Sequence, residues 1–186
     1  MGPQGSGKTT QGTLLAEKYG LSFISVGSLL RKLGQSDDEL GKEISHFINA
    51  GELVPDDTLR QVLEKYLHAN SHPNGFVMDG FPRDKQQYQW VSEVFPEKIT
   101  AVVFLRLELE EVLDRLIKRK EIEHREDETS EAIRERLHNY LEYTTEVIDR
   151  FRIDEVPFIE VDGSLTIEQI HQSIVVALEK IRAQHN

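Results

Sequence analysis

The sequence predicts an α/β fold: three layers, α/β/α, around a central parallel sheet, in one domain spanning residues 1–186. Three observations carry that prediction. Four short apolar runs, Leu21–Ser25, Phe76–Met78, Ala101–Leu105 and Phe158–Val161, have the length of buried strands. Stretches with helical apolar spacing separate them. A glycine-rich loop at the chain start leads directly into the first of those stretches. Strands that alternate with helices imply a parallel sheet covered on both faces, with ligands at the carboxyl ends of the strands.

The helices follow in order. Thr9–Tyr19 comes after the loop, Asp37–Ala50 carries Leu40, Ile44, Phe47 and Ile48 at helical spacing, and Asp56–Ala69 carries Leu59, Leu63 and Leu67. Lys85–Phe95, Glu110–Lys120, Ser130–Phe151 and Thr166–Arg182 complete the set. Asp56 and Asp57, Ser130 and Thr166 are the residue types that begin helices. No repeat, low-complexity tract or Pro/Ser-rich linker marks a domain boundary.

Composition narrows the class. A chain of 186 residues with 38% hydrophobic and 30% charged residues can bury one core and stay dissolved. No run approaches the roughly 18 apolar residues of a membrane span, and no basic segment followed by an apolar stretch opens the chain. Zero cysteines exclude disulfides and thiolate zinc sites. The expectation is a soluble, cytoplasmic protein with no membrane partner. A net charge of −11 argues against a nucleic-acid partner, which needs a basic surface. It leaves room for a small anionic ligand in a locally positive pocket.

Gly2-Pro3-Gln4-Gly5-Ser6-Gly7-Lys8-Thr9 matches the P-loop pattern G-x-x-x-x-G-K-[ST] at every fixed position. Backbone N–H groups must wrap phosphate oxygens, which needs unusual torsions and no obstructing side chains, and glycine meets both needs. The next helix points its N-terminus at the anion. In this chemistry Lys8 bridges the outer phosphates and Thr9 offers a hydroxyl to Mg²⁺. Gly5, Ser6, Gly7, Lys8, Thr9 and Thr10 form the candidate ATP-phosphate site. Phe76-Val77-Met78-Asp79 reads as a buried strand ending in a carboxylate, where such enzymes place an acid on Mg²⁺ or its water. Mg²⁺ held by Thr9 and Asp79 is therefore the expected cofactor.

Asp79-Gly80-Phe81-Pro82-Arg83 resembles the signature of the adenylate kinase family of nucleoside monophosphate kinases. Ser25-Val26-Gly27-Ser28-Leu29-Leu30-Arg31 resembles the segment that opens that family's monophosphate-binding region, and Gly51-Glu52-Leu53-Val54-Pro55-Asp56 the segment that closes it. Arg115, Arg119, Arg125, Asp127 and Arg136 resemble the set around its mobile lid. The resemblance implies reversible phosphoryl transfer from ATP to AMP, giving two ADP, by a monomeric phosphotransferase. It implies a monophosphate-binding segment at 25–54 and a short, zinc-free lid at 119–129. It places Arg31 and Arg83 on the acceptor phosphate and Gln87 on the acceptor base. Val26, Gly80, Phe81, Pro82 and the stretch Glu52, Leu53, Val54 line the same pocket. It sets Arg115 against the adenine of ATP, and Arg119, Arg125 and Arg136 around the phosphates in transit, with Asp127 ordering the closed lid. Lys8, Arg83, Arg119, Arg125, Arg136 and Asp127 are the catalytic set so implied.

Val26 stands where the family usually has threonine, so a pyrimidine (UMP or CMP) monophosphate kinase is the second reading. An inactive nucleotide-binding relative is the third. The family also places a buried strand immediately before the glycine loop, at the centre of the sheet. The chain begins Met1-Gly2, so that first strand is missing here, and the expectation is a natural polypeptide that starts several residues earlier. His68 and His72 read as a solvated pair, Trp90 as packing, and Arg134, Arg150 and Arg152 as a solvated helix face.

Overall fold

The computed structural model describes residues 1–95, 99–123 and 129–184, with 119–123 as backbone only. Four strands form, at the four apolar runs: β1 (Ser22–Ser25), β2 (Phe76–Asp79), β3 (Val102–Arg106) and β4 (Phe158–Asp162). The sheet they make is in two halves. β1 pairs with β2 in parallel, Ser22 opposite Phe76, and β3 pairs with β4 in parallel, Val102 opposite Phe158. The single central sheet expected from the strand pattern is thus divided, because among the described residues no strand stands between β2 and β3. Met1 occupies the upper end of that seam. Its α-amine donates to the Val103 carbonyl and its carbonyl accepts from Leu105 N at 3.0 Å, a one-residue parallel bridge on the β3 edge away from β4. β2 shows the cost of the division, since all four of its residues are only half-buried.

Helices cover both halves. α1 (Lys8–Tyr19) packs against β1, β2 and α9 (Ile167–Gln184), bringing the two halves together on one side. Gly12 allows the close approach, for a Cβ there would lie 2.5 Å from the Phe23 ring. α3 (Glu39–Ala50), α4 (Asp56–Ala69) and α5 (Lys85–Val94) enclose a core of Ile44, Leu59, Leu63, Trp90 and Val91. Trp90 is packing, as expected, with its ring edge-on to Phe81 and Phe95. A second core joins Leu15 of α1 to Leu105, Ile159, Val161, Ile170 and Ile174. α6 (Leu109–Glu123) adds Val112 and Leu116 around Leu107.

The helix starts follow their capping chemistry. Asp38 Oδ1 accepts from Gly41 N at 2.7 Å, and Thr129, one residue ahead of Ser130, caps α7 (Ser130–Asn139) through Ala132 N. Thr166 and Gln169 exchange side-chain bonds with each other's backbone N–H, a reciprocal box at the start of α9.

Several expectations need correction. α2 (Val26–Leu33) is a helix that the apolar spacing did not reveal, being short and interrupted by Gly27 and Ser28. The long helix expected over Ser130–Phe151 is three pieces: α7, a π-helical turn at Tyr140–Thr144, and α8 (Thr145–Ile153). His72 is not solvated, for its ring lies between Tyr66 and Phe76 with both nitrogens buried. Arg152 does more than face water: it pairs with Asp149 and Glu160 and sits over the Phe158 ring.

Burial at the seam depresses the Met1 α-amine to about 5 from an ordinary 8, with the Lys8 charge adding to the effect and Asp79 opposing it. Unfolded chain therefore binds a proton between these values that folded chain does not, so stability falls as pH drops from 8 towards 5. A chain beginning at Met1 is expected to lose up to about 4 kcal/mol over that range in urea titrations. An apolar hexapeptide joined ahead of Met1, which replaces the ammonium by an amide able to continue the strand, should raise the melting temperature and flatten this slope. Equal stability at pH 6 and pH 8 for the chain starting at Met1 would contradict the burial of its amine.

Candidate active site

The glycine loop stands at the top of the seam and its torsions are those that glycine permits. Gly2, Gly5 and Gly7 have φ of 136°, 80° and 90°. A Cβ at Gly2 would lie 2.5 Å from the Leu105 carbonyl oxygen, so the loop is pressed onto β3. Gly7 is the left-handed residue before α1, and no side chain caps that helix. Its first-turn N–H groups therefore face the loop, where a helix N-terminus attracts an anion. Lys8 Nζ reaches back across the loop to donate to the Pro3 carbonyl at 2.6 Å.

α1 and β2 then bring two oxygen donors together. Thr9 Oγ1 donates to Asp79 Oδ2 at 2.7 Å, at the carboxyl end of β2 and exposed to solvent. Among the described residues no group of three or more His, Cys, Asp or Glu could hold a metal. Mg²⁺ does not require one, since it keeps several waters and takes one or two protein oxygens together with phosphate oxygens. A hydroxyl and a carboxylate beside a phosphate loop fit it.

A cleft of about 470 Å³, within the size range of small-ligand sites, runs from this loop to the 25–54 segment. Gly5, Gly7, Lys8, Thr9 and Thr10 line one wall, while Ser6 is buried beneath the loop. Val26, Arg31, Glu52, Leu53, Val54, Gly80, Phe81, Pro82, Arg83, Gln87 and Arg136 line the other. Each arginine there is oriented by a neutral oxygen. Arg31 Nη2 donates to Ser28 Oγ at 3.2 Å, Arg83 Nε to the Gly80 carbonyl at 2.8 Å, and Arg136 Nη2 to the Ile48 carbonyl at 3.0 Å. Burial pulls the Arg83 guanidinium below its ordinary pKa; Asp79 offsets this, while Arg136 and Arg31 add repulsion. Three mutually repelling cations at one cleft make a site for a multiply charged anion.

Arg115 lies along the outer side of the loop. Its Nη1 donates to the Gly5 carbonyl at 3.4 Å and its Nη2 pairs with Glu111 at 2.6 Å. The Arg119 side chain, Arg125 and Asp127 lie outside the described residues, as do residues 124–128 of the lid expected at 119–129.

Four contributors were not foreseen. Thr144, in the π-helical turn, donates its hydroxyl to the Arg83 carbonyl at 2.9 Å, and Asn139, just before that turn, donates to the Gly51 carbonyl at 3.3 Å. Asp56 and Asp84 both accept from the Gln87 side-chain amide. Asp56 and Asp84 carried a local sequence signal, Asp56 as a helix-starting residue type at the end of the 51–56 segment and Asp84 as a helix-capping type directly ahead of α5, where its Oδ1 accepts from Gln87 N. Thr144 and Asn139, and the meeting of both aspartates on Gln87, depend on tertiary contacts between distant segments.

Known proteins resemble this chain along nearly its whole length. The family model described as adenylate kinase matches residues 1–156. An adenylate kinase of Micrococcus luteus is 37% identical, over 98% of this chain and 90% of its own length. One of Archaeoglobus fulgidus is 32% identical over 98% of each chain, and one of Leptospira biflexa is 34% identical over 96% of this chain and 97% of its own.

The buried Thr144–Arg83 contact has a measurable consequence. Thr144→Val keeps the shape but leaves the Arg83 carbonyl unpaired, which is expected to cost about 1–3 kcal/mol in urea unfolding. Thr144→Ser restores the hydroxyl and most of that stability. A Val variant as stable as the unaltered chain would show that the contact does not hold Arg83.

Proposed function

The chain belongs to the adenylate kinase family, and from that membership and the shape of the cleft we propose that it transfers the terminal phosphoryl of ATP to AMP, giving two ADP. The observation that carries this reading is the single cleft with a phosphate loop on one wall and Arg31, Arg83 and Arg136 on the other. Two nucleotides that approach from these walls meet phosphate to phosphate.

The chemistry asks little of the protein beyond placement and charge. An oxygen of the acceptor phosphate attacks the terminal phosphorus of ATP. The bond from that phosphorus to the bridging oxygen breaks, and the electron pair leaves with ADP. The attacking oxygen is already anionic, so no general base is needed. The loop amides and Lys8 hold the donor phosphates, and Arg31 and Arg83 hold the acceptor phosphate. Arg136, whose charge acts on Arg83, meets the charge that accumulates as the phosphoryl group passes. Mg²⁺, when bound at Thr9 and Asp79, supplies further neutralisation of the donor oxygens. Arg119, Arg125 and Asp127 complete the proposed lid, with Arg115 beside the ATP base. Closure of that lid excludes water, which would otherwise accept the phosphoryl group.

Gln87 is the proposed reader of the acceptor base, with the 52–54 stretch and Val26 beside it. Buried Val26 offers no hydroxyl, which is the one feature that favours a pyrimidine acceptor instead. The protein is proposed to work as a monomer in the cytoplasm, its state to be read by sedimentation.

Turnover assayed separately with AMP, UMP, CMP and GMP is expected to favour AMP; a preference for UMP or CMP would move the assignment to the pyrimidine enzymes. Lys8→Met removes a charge at the donor phosphates and touches no core residue. It is expected to lower turnover at least about 100-fold with an unchanged melting curve. Ordinary turnover by the folded variant would overturn the role of the loop.

A further inference from the structure

Gln87 is 4% exposed and its side-chain amide is held on both sides. Oε1 accepts from Arg83 N at 2.9 Å. Nε2 donates to Asp56 Oδ1 at 3.0 Å and to Asp84 Oδ2 at 2.7 Å. An amide nitrogen has two hydrogens, and both are taken. The reverse orientation would set the amide oxygen against two carboxylates and the amide nitrogen against a backbone N–H. It would exchange three hydrogen bonds for three repulsive contacts. One orientation is therefore enforced, and the second lone pair of Oε1 is what the amide retains for a ligand in the cleft that it lines.

The carboxylates are suited to that task by where they sit. Asp84 is fixed by its second oxygen, which caps α5 through Gln87 N at 2.9 Å. Asp56 is the first residue of α4, at the closing end of the 25–54 segment. Burial, and then the neighbouring Asp56 charge, push the Asp84 carboxyl above its usual range, while the Gln87 N–H holds it down. Two acids kept close together at this position are costly, and the Gln87 amide is the group both of them bind.

We propose that Asp56 and Asp84 are positioning residues that lock the Gln87 amide with its oxygen towards the acceptor base, so that the site takes bases bearing an exocyclic amine and rejects their oxo counterparts. This rests on the reading that Gln87 faces the base. An amino group donates into the free lone pair of Oε1. An oxo group in the same place sets lone pair against lone pair and leaves both buried and unpaired, the arrangement that gives strong rejection of an isostere.

The test compares AMP with IMP, which differ in the amino and oxo groups at one ring carbon, as acceptors for the full chain and its variants. Asp56→Asn and Asp84→Asn keep size and, at 84, the capping ability, but an asparagine amide can donate as well as accept, so Gln87 is released to turn. The unaltered chain is expected to prefer AMP by about 100-fold or more in kcat/KM. Each variant is expected to lose about tenfold or more of that preference, mainly as a higher KM for AMP and a lower KM for IMP, and the double variant to lose the most. An AMP/IMP ratio within about threefold of the original in all three folded variants would overturn the proposal. Asp56 caps no helix, so Asp56→Asn carries the test if Asp84→Asn does not fold. Gln87→Ala separates the two layers. A changed ratio there beside unchanged aspartate variants sinks the positioning role alone. An unchanged ratio in Gln87→Ala sinks the reading of Gln87 on which it rests.

Discussion

Like charges brought to one place repel, and the arrangement of this molecule is governed by the need to hold several of them around one cleft. Arg31, Arg83 and Arg136 converge on the wall opposite Lys8, with Arg83 far enough from water that its charged form is disfavoured. Bonds to neutral oxygens help to orient them: the Ser28 hydroxyl for Arg31, and the carbonyls of Gly80, Ile48 and Pro3 for Arg83, Arg136 and Lys8. A carbonyl orients a cation without cancelling its charge. Arginines gathered at one cleft let a protein of net charge −11 offer a locally positive pocket. Transfer between two phosphates needs such a pocket more than it needs any acid or base.

Holding that cluster requires segments far apart in sequence to meet, and the divided sheet sets where they do so. The glycine loop stands over the seam between β2 and β3. Gly2 lies against the Leu105 carbonyl on one side, and Thr9 is bonded to Asp79 on the other. Met1 bridges to β3 below it. The site is thus built on the part of the sheet with fewest backbone partners, and α1, packed on β1, β2 and α9, ties the halves together. Across the cleft, the region from α7 to α8 braces two segments of one wall at once through Asn139 on Gly51 and Thr144 on Arg83.

What the sequence disclosed follows from what is local. Buried strands such as Phe76–Asp79 show as short apolar runs, and the phosphate loop shows because its backbone torsions demand glycine at set spacings. α2 was hidden because eight residues containing Gly27 and Ser28 carry too little periodicity. The π-helical turn at Tyr140–Thr144 was hidden because it keeps helical composition and changes only the hydrogen-bond partner. The Asp56–Gln87–Asp84 cluster joins the start of α4 to the start of α5, a meeting that no spacing within one segment encodes. Gln87 was legible as a residue of the site, while the groups that fix its amide were not.

The central claim is that one cleft receives two nucleotides with their phosphates end to end. Binding of a mimic with two adenosines joined through a chain of phosphates tests it directly, followed by hydrogen exchange along the chain. The account predicts one mimic per chain, competition against both ATP and AMP, and slowed exchange in the 2–10 loop, the 25–54 segment and the 119–129 lid together. Protection confined to the loop, with AMP still able to bind alongside the mimic, would contradict it.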